Sequence, residues 1–557
     1  MRAFSRRREE AEDENKENKE LWLIFGAAAV YFVLFLAVPA AALLGKSFVS
    51  EGGAGIANYA DILGDADIRR ALGNSFLVSG VSAAVTTMLA FLLSYTVHYT
   101  RVPGWLKKAV AQTARLPMLL PTITYGFAIM YSFGKQGLLT KLFGRQLFDI
   151  YGFNGLLTGY VIYTLPVSFM LIQNTMQYID KSFTVVSRLL QDNPVKNFGM
   201  TVLRPLSGAL VSSFIQTFFL CFTDFGIPAA VGGEFDTIAG VLYREMLGSV
   251  PDFGRGAVIA LLMLLPSVLS VAVLHLLEKY NVRYTKISRT ELSVNRVRDV
   301  VCGTLSGAAA VCVLAVFAVI FVIPFVQDWP YHITFTLSHF SDVMQDSALR
   351  RVMGNSLTVS LLTALLGTLT AYGCALVSAR SSLPEAAKKC VEAMAMITNT
   401  IPGMVLGLAY LFVFSGSFLQ GTLAILVLCN VIHYFSTPYL MMKASLSKLN
   451  ASWETTAMLM GDSWIKTVAR VVTPNVLPTI LEVFGYYFVN AMVTISAVIF
   501  IAGARTMVIT TKIKELQYYN KYSEIFVLSL FILFVNFAGR ELTAWLANRK
   551  KKEKKER

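Results

Sequence analysis

Long uncharged apolar runs recur along this chain, set apart by short polar stretches. Residues 21–44 and 300–326 are two of them. At ~1.5 Å per residue, a helix of either length exceeds the ~30 Å hydrocarbon core of a bilayer. The pattern predicts twelve spans, at 21–46, 73–98, 113–133, 154–178, 206–230, 256–278, 300–327, 355–379, 393–416, 421–445, 477–503 and 524–547. The fold class is therefore all-α, a polytopic membrane protein. The first run is longer than the apolar core of a signal peptide, so it reads as a retained span. Pro117 and Pro121 in the third span and Pro402 in the ninth predict kinks, which a membrane helix tolerates where neighbours satisfy the freed carbonyls.

The chain repeats itself. RALGNSF at 70–76 returns as RVMGNSL at 351–357, an offset of 281 that also aligns Pro121 with Pro402 and Gly126 with Gly407. Further on the offset is 270, aligning Phe183 with Trp453, Asp192 with Asp462 and Lys196 with Lys466. The difference fits a shorter loop between spans nine and ten. Six spans per copy give both copies the same orientation, a parallel repeat, with a pathway expected along the axis between them. The expected organisation is a disordered tail at 1–20, a first domain at 21–290, a second at 291–548 and a basic tail at 549–557. Asn74 and Asn355 read as caps of the helices that follow them.

Composition agrees with a membrane protein: 55% of residues are hydrophobic and 15% charged, against roughly 25% charged in soluble proteins. The net charge of +14 is concentrated at the ends, in Arg6 to Arg8 and Arg549 to Lys552. Beside membrane spans this fits the positive-inside rule better than nucleic-acid binding. Lys107, Lys108, Arg283, Arg289, Lys388, Lys389, Lys466 and Arg470 fall on the side of the tails, and Asp61, Asp65, Asp67, Glu234, Asp236 and Asp252 fall opposite. Both termini are therefore expected in the cytoplasm, although Lys135, Lys141, Lys512 and Lys514 run against the rule. The six cysteines form no CxxC pair and the five histidines have no ligand spacing, so neither a metal site nor a disulfide framework is expected. LLGKS at 43–47 lacks the first glycine of a phosphate-binding loop and sits at a span end. ATP hydrolysis is not expected of this chain.

One loop is more structured than a connection needs. After LNASW, where Asn450 or Ser452 offers a helix cap, Trp453, Ala457, Met460, Trp464 and Val468 recur at helical spacing. Gly461 interrupts the run and Pro474 closes it before span eleven. The pattern predicts two short helices with a bend, lying under the membrane. Alone, such an element fits lipid, its own protein or a docked partner.

The stretch resembles the loop shared by permease subunits of binding-protein-dependent ABC importers: Glu-Ala-Ala, three residues, Gly, nine residues, Ile, any residue, Leu-Pro. Gly461, the nine residues after it, Val471, Val472, Thr473 and Pro474 keep that spacing; Ala457 matches the second Ala, and Glu454 sits where many members carry an additional Glu. Thr455 and Thr456 depart from the motif. The first copy is more degraded, with Thr184, Val185, Val186, Ser187, Gln191 and Arg204 at the motif positions and Lys196 retained. TDFGIPAAVGGEFDTIAGVLY at 223–243 looks like the segment after the fifth span in importers for ferric iron, phosphonates and polyamines. NAMVTISAVIF at 490–500 resembles the matching part of fused iron and 2-aminoethylphosphonate permeases. The resemblance implies a fused two-domain permease for a small solute, 2-aminoethylphosphonate or another phosphonate first and ferric iron next, in a bacterial inner membrane. Its implied partners are two ATPase subunits inside, which carry ATP and Mg, and a solute-binding protein outside. Trp453, Glu454, Ala457, Met460, Gly461, Trp464, Lys466 and Pro474, with Phe183, Ser187 and Lys196 of the first copy, would couple to the ATPases.

Asp224, Asn490 and Thr494 are candidate pathway residues, polar groups in apparent spans. Each is equally readable as a packing or capping group, and DFGIP at 224–228 reads as a turn. The rival class is an ion-gradient-driven carrier. It would need paired acidic residues near mid-bilayer, for which Asp224 and Glu482 are few and badly placed.

Overall fold

The computed structural model describes residues 19–50, 53–179, 186, 187, 189–191, 193–248, 250–278, 295–450 and 452–556. Among them, nine helices are long and apolar enough to cross a membrane, and three further spans are helix pairs bent at a break. The described chain is almost wholly helical, apart from two small antiparallel ribbons. The N-terminal tail expected to be disordered lies outside the described residues up to residue 18.

The breaks follow the prolines. Pro121 and Pro402 are the N-cap residues of Thr122–Phe133 and Gly403–Phe414. There their missing N–H costs no intrahelical bond. Spans three and nine bend at these points by 114° and 104°. Span ten is also broken, by 56° between His433 and Ser436. The sequence carried a signal for it in Pro438, which falls in the first turn of Ser436–Leu446. Spans five and eleven end earlier than the apolar runs suggest. Their helices stop at Thr223 and Val493, where Asp224 and Thr494 are the C-caps. The chain then turns through 226–231 and 495–501 into Ile238–Leu247 and Ile509–Tyr518. The offset change also has a visible cause: residues 134–152 carry an additional helix, Leu138–Phe143, where the second copy has only 415–422.

Asn74 and Asn355 are not caps. Both lie inside long helices, Ala66–Tyr99 and Ser347–Arg380. Asn74 Nδ2 donates to the carbonyl of Asp236 at 3.1 Å, and Asn355 Nδ2 to those of Arg505 and Met507, both at 3.0 Å. The next residue completes the tie, because Ser75 Oγ accepts from Ile238 N at 2.8 Å and Ser356 Oγ from Ile509 N at 2.7 Å. The repeated Gly-Asn-Ser thus satisfies the backbone of the irregular segment after the fifth span of each copy. Local capping preference missed this because both partners lie more than a hundred residues away.

The compact units do not follow the repeat boundary. One contains 1–46, 347–512 and 532–557; the other contains 47–346 and 513–531. The first helix of each copy is thus exchanged. Helix Lys19–Ser47 packs on the second copy, with Tyr31 donating to the carbonyl of Leu428 at 3.0 Å and Phe32 edge-on to Phe435 at 4.7 Å. Helix Arg296–Val322 packs on the first copy through Ser306 and Thr96, hydroxyl to hydroxyl at 2.7 Å, and Phe317 against Tyr125 at 6.0 Å. Two of the lysines that run against the charge rule also make tertiary contacts. Lys141 donates to the carbonyl of Pro330 at 2.8 Å and lies over the Trp329 ring. Lys514 bonds Gln517 Oε1 at 2.8 Å and lies over the Tyr243 ring, and burial pulls its ammonium below the ordinary value.

Gly126 and Gly407 hold the same place in the two copies. A Cβ on Gly126 would lie 2.3 Å from Ala230 Cβ; one on Gly407 would lie 2.4 Å from the carbonyl oxygen of Ala497. The third and ninth spans therefore touch the segments after the fifth and eleventh with no side chain between, as small residues allow in membranes. Gly126→Ala is expected to cost about 1–3 kcal/mol by overpacking, and adding Ala230→Gly should restore most of it. Gly407→Ala meets backbone, so no side-chain truncation at Ala497 should rescue it. Thermal unfolding in detergent micelles measures all three.

Candidate functional site

The loop singled out by its sequence folds as two short helices, Ser452–Leu459 and Trp464–Thr467. Asn450 Oδ1 accepts from Ser452 N at 3.0 Å and begins the first. Gly461 ends it at φ 78°, and the N–H of Asp462 returns to the carbonyl of Ala457 at 3.0 Å, a Schellman-type closure. Lys466 pairs with Asp462 one turn back. Pro474 does not close the element. The second helix runs on through a π-helical stretch, Val468–Val472, into Thr473–Val493, with Pro474 in the first turn. The wider π turn carries its bond from Thr473 N to Val468 O, so the proline meets no conflict. The first copy repeats this one residue later than the offset predicts, with a π stretch at Gly199–Leu203 and Pro205 in the turn that follows. Arg204 had looked like a lost proline; the proline is Pro205.

The two aromatic anchors differ. Trp453 is half-buried, whereas Trp464 is 7% exposed and packs in the chain's own core with Val468 and Val472. Trp464 is therefore not available to a partner. Its side chain lies at the foot of a continuous helix whose inward face the core claims. Glu454 also faces inward, ion-paired with Arg380. Ala457 is half-buried and Gly461 exposed. Met460 stands out at the elbow, 80% exposed beside Leu459 at 71%.

In the first copy Phe183 lies outside the described residues. Ser187 is buried and Lys196 exposed on the helix Pro194–Phe198, which Asn193 caps by accepting from Val195 N at 3.2 Å. Gln191, aligned with Gly461, holds the same left-handed backbone at φ 58°. The elbow has outlived its glycine. Leu189 and Leu190, aligned with Leu459 and Met460, are 78% and 72% exposed. Motif matching overlooked this pair, although two adjacent large apolar residues before a left-handed position were there to be read in both copies.

Asp224 and Thr494 prove to be equivalent, 270 residues apart, each the C-cap of its span. The Asp224 carboxylate accepts from Ile227 N at 2.9 Å and so opens the next short helix. Thr494 pairs with the Tyr434 hydroxyl and donates to the carbonyl of Asn490 at 2.7 Å, and Asn490 Nδ2 donates to that of Tyr486 at 2.7 Å. The bonds of all three hold the breaks in shape.

A non-glycine residue at a left-handed position carries strain of roughly 1–2 kcal/mol. Gln191→Gly should slow amide exchange across 189–198, and Gly461→Gln should speed it about fivefold across 457–463, for a cost of ~1 kcal/mol. Hydrogen exchange on the purified protein measures both.

Residues 357–552 match the family described as the binding-protein-dependent transport system inner membrane component. The chain is 27% identical over 472 residues to a ferric transport system permease protein of Actinobacillus pleuropneumoniae, covering 81% of this chain and 67% of that protein. It is 28% identical over 470 residues to a putative ferric transport system permease protein of Haemophilus influenzae, covering 80% and 72%. A thiamine transport system permease protein of Escherichia coli matches 249 residues at 24% identity, 44% of this chain and 45% of that protein. With the match at 357–552 and a likeness running over four-fifths of its length, this chain is similar to the inner membrane permeases of binding-protein-dependent transport systems.

Proposed function

We propose that this chain is the translocation subunit of an ATP-driven importer for ferric iron, energised through the loops after its fourth and tenth spans. The observation that carries the coupling role is the repeated elbow. In each copy a left-handed residue follows two adjacent large apolar side chains, Leu189 and Leu190 or Leu459 and Met460, both strongly exposed. Exposed apolar side chains at the tip of a shaped element fit a pocket on a partner, where a few buried anchors carry most of the binding energy. Two ATPase subunits on the cytoplasmic side, one at each elbow, supply that partner, and a solute-binding protein delivers cargo from outside. Both termini and both elbows then share the cytoplasmic face, as the charge distribution favours. Iron is supported by the two ferric permeases that align over about four-fifths of the chain. The phosphonate alternative suggested by residues 490–500 draws no support from those relatives.

The test is reconstitution. The chain should co-purify with two ATPase subunits, and proteoliposomes holding the complex should take up iron-55 only with ATP and a ferric-loaded binding protein. Uptake by the chain alone, without nucleotide, would refute the importer reading. Met460→Glu and Leu190→Glu place a charge in the proposed pocket. Each should weaken ATPase association at least tenfold in pull-downs while leaving the thermal midpoint of the isolated chain within a few degrees.

A further inference from the structure

The loop after the tenth span is fastened to span eight by an ion pair. Arg380 is the last residue of Ser347–Arg380, and its side chain is 4% exposed. Its Nε donates to Glu454 Oε1 at 2.6 Å and its Nη2 to Glu454 Oε2, a two-pronged ion pair. The same guanidinium donates to the carbonyls of Leu449 at 2.9 Å and Asn450 at 3.0 Å. One side chain thus grips the residues leading into the loop and the first turn of its first helix together. Nearby, the Tyr372 hydroxyl meets that of Thr473 at 2.7 Å, joining span eight to the start of span eleven.

In the first copy Tyr99 stands in line with Arg380, Thr184 with Glu454 and Phe91 with Tyr372, and Arg204, the residue after the π stretch, with Thr473. Among the described residues there, Phe198 of the helix Pro194–Phe198 lies edge-on to Tyr95 at 5.8 Å and to Phe91 at 6.2 Å, and Tyr95 stacks on Tyr99 at 5.3 Å. In the second copy a bidentate guanidinium–carboxylate pair fixes direction as well as distance. Out of water it cannot loosen without leaving an uncompensated charge.

We propose that Arg380 and Glu454 are positioning residues that make the second elbow and span eight move as one body. The inference rests on the importer reading for its consequence: force applied at the second elbow reaches span eight undiminished. ATP hydrolysed with the tie cut should therefore be spent without transport.

The experiment uses proteoliposomes containing the complete complex and iron-55 on the binding protein. Glu454→Gln, which keeps shape and removes charge, and Arg380→Gln should retain bound ATPase subunits and ATP hydrolysis. Iron carried per ATP should fall at least tenfold in each. Arg380→Glu combined with Glu454→Arg should return the ratio to within threefold of the unaltered protein, which a merely structural loss would not allow. Single variants within twofold of the unaltered ratio, or a charge-reversed pair no better than the singles, would overturn the proposal. Failure of the unaltered complex to bind ATPase or carry iron would instead count against the importer reading. Hydrogen exchange on the chain in nanodiscs then decides the tie alone. Glu454→Gln should raise exchange at least tenfold across 452–459, and unchanged exchange rejects it.

Discussion

A backbone carbonyl or N–H inside a bilayer has no water to turn to, and this chain interrupts its helices repeatedly where they should be continuous. The rest of the structure depends on how those interruptions are satisfied. Prolines stand where an N–H would have had no partner. Asp224 ends one helix and opens the next. Ser75 and Ser356 accept the first N–H groups of the segments that follow, and the neighbouring asparagines take carbonyls there. Gly126 and Gly407 let those segments lie directly on a span. The irregular backbone is thus held by the protein rather than exposed to lipid, and the bent spans can have definite shapes.

Much of this was legible in the sequence, and the failures have physical reasons. Apolar runs located the spans because hydrophobic length is a local property. The kinks in spans three and nine followed from proline stereochemistry, and the bend at Gly461 from glycine's freedom at positive φ. Partnerships across the chain were not legible. Asn74 reads locally as a cap, and only the fold shows that it reaches Asp236. Trp464 shares its helical spacing with Met460, yet one is packed in the core and the other stands exposed, because the second short helix continues into span eleven and the first does not. Gln191 looked like decay of a motif, but the backbone kept the turn while the side chain changed. Spacing constrained to one residue likewise hid Pro205.

The two copies have kept geometry and exchanged chemistry. Left-handed elbow, exposed apolar pair, π turn, early span end and serine tie recur in both. Side chains at equivalent places have changed meanwhile, glycine at 461 against glutamine at 191 and threonine at 494 against aspartate at 224.

The exchanged first helix carries a consequence for biogenesis. Tyr31 and its carbonyl partner at Leu428 are 397 positions apart, and at 5–20 residues per second a ribosome needs about 20–80 s to cover that distance. For that interval the chain on which the first helix's aromatic flank finally packs does not yet exist. This span therefore reaches its final packing only after hundreds of further residues have been made.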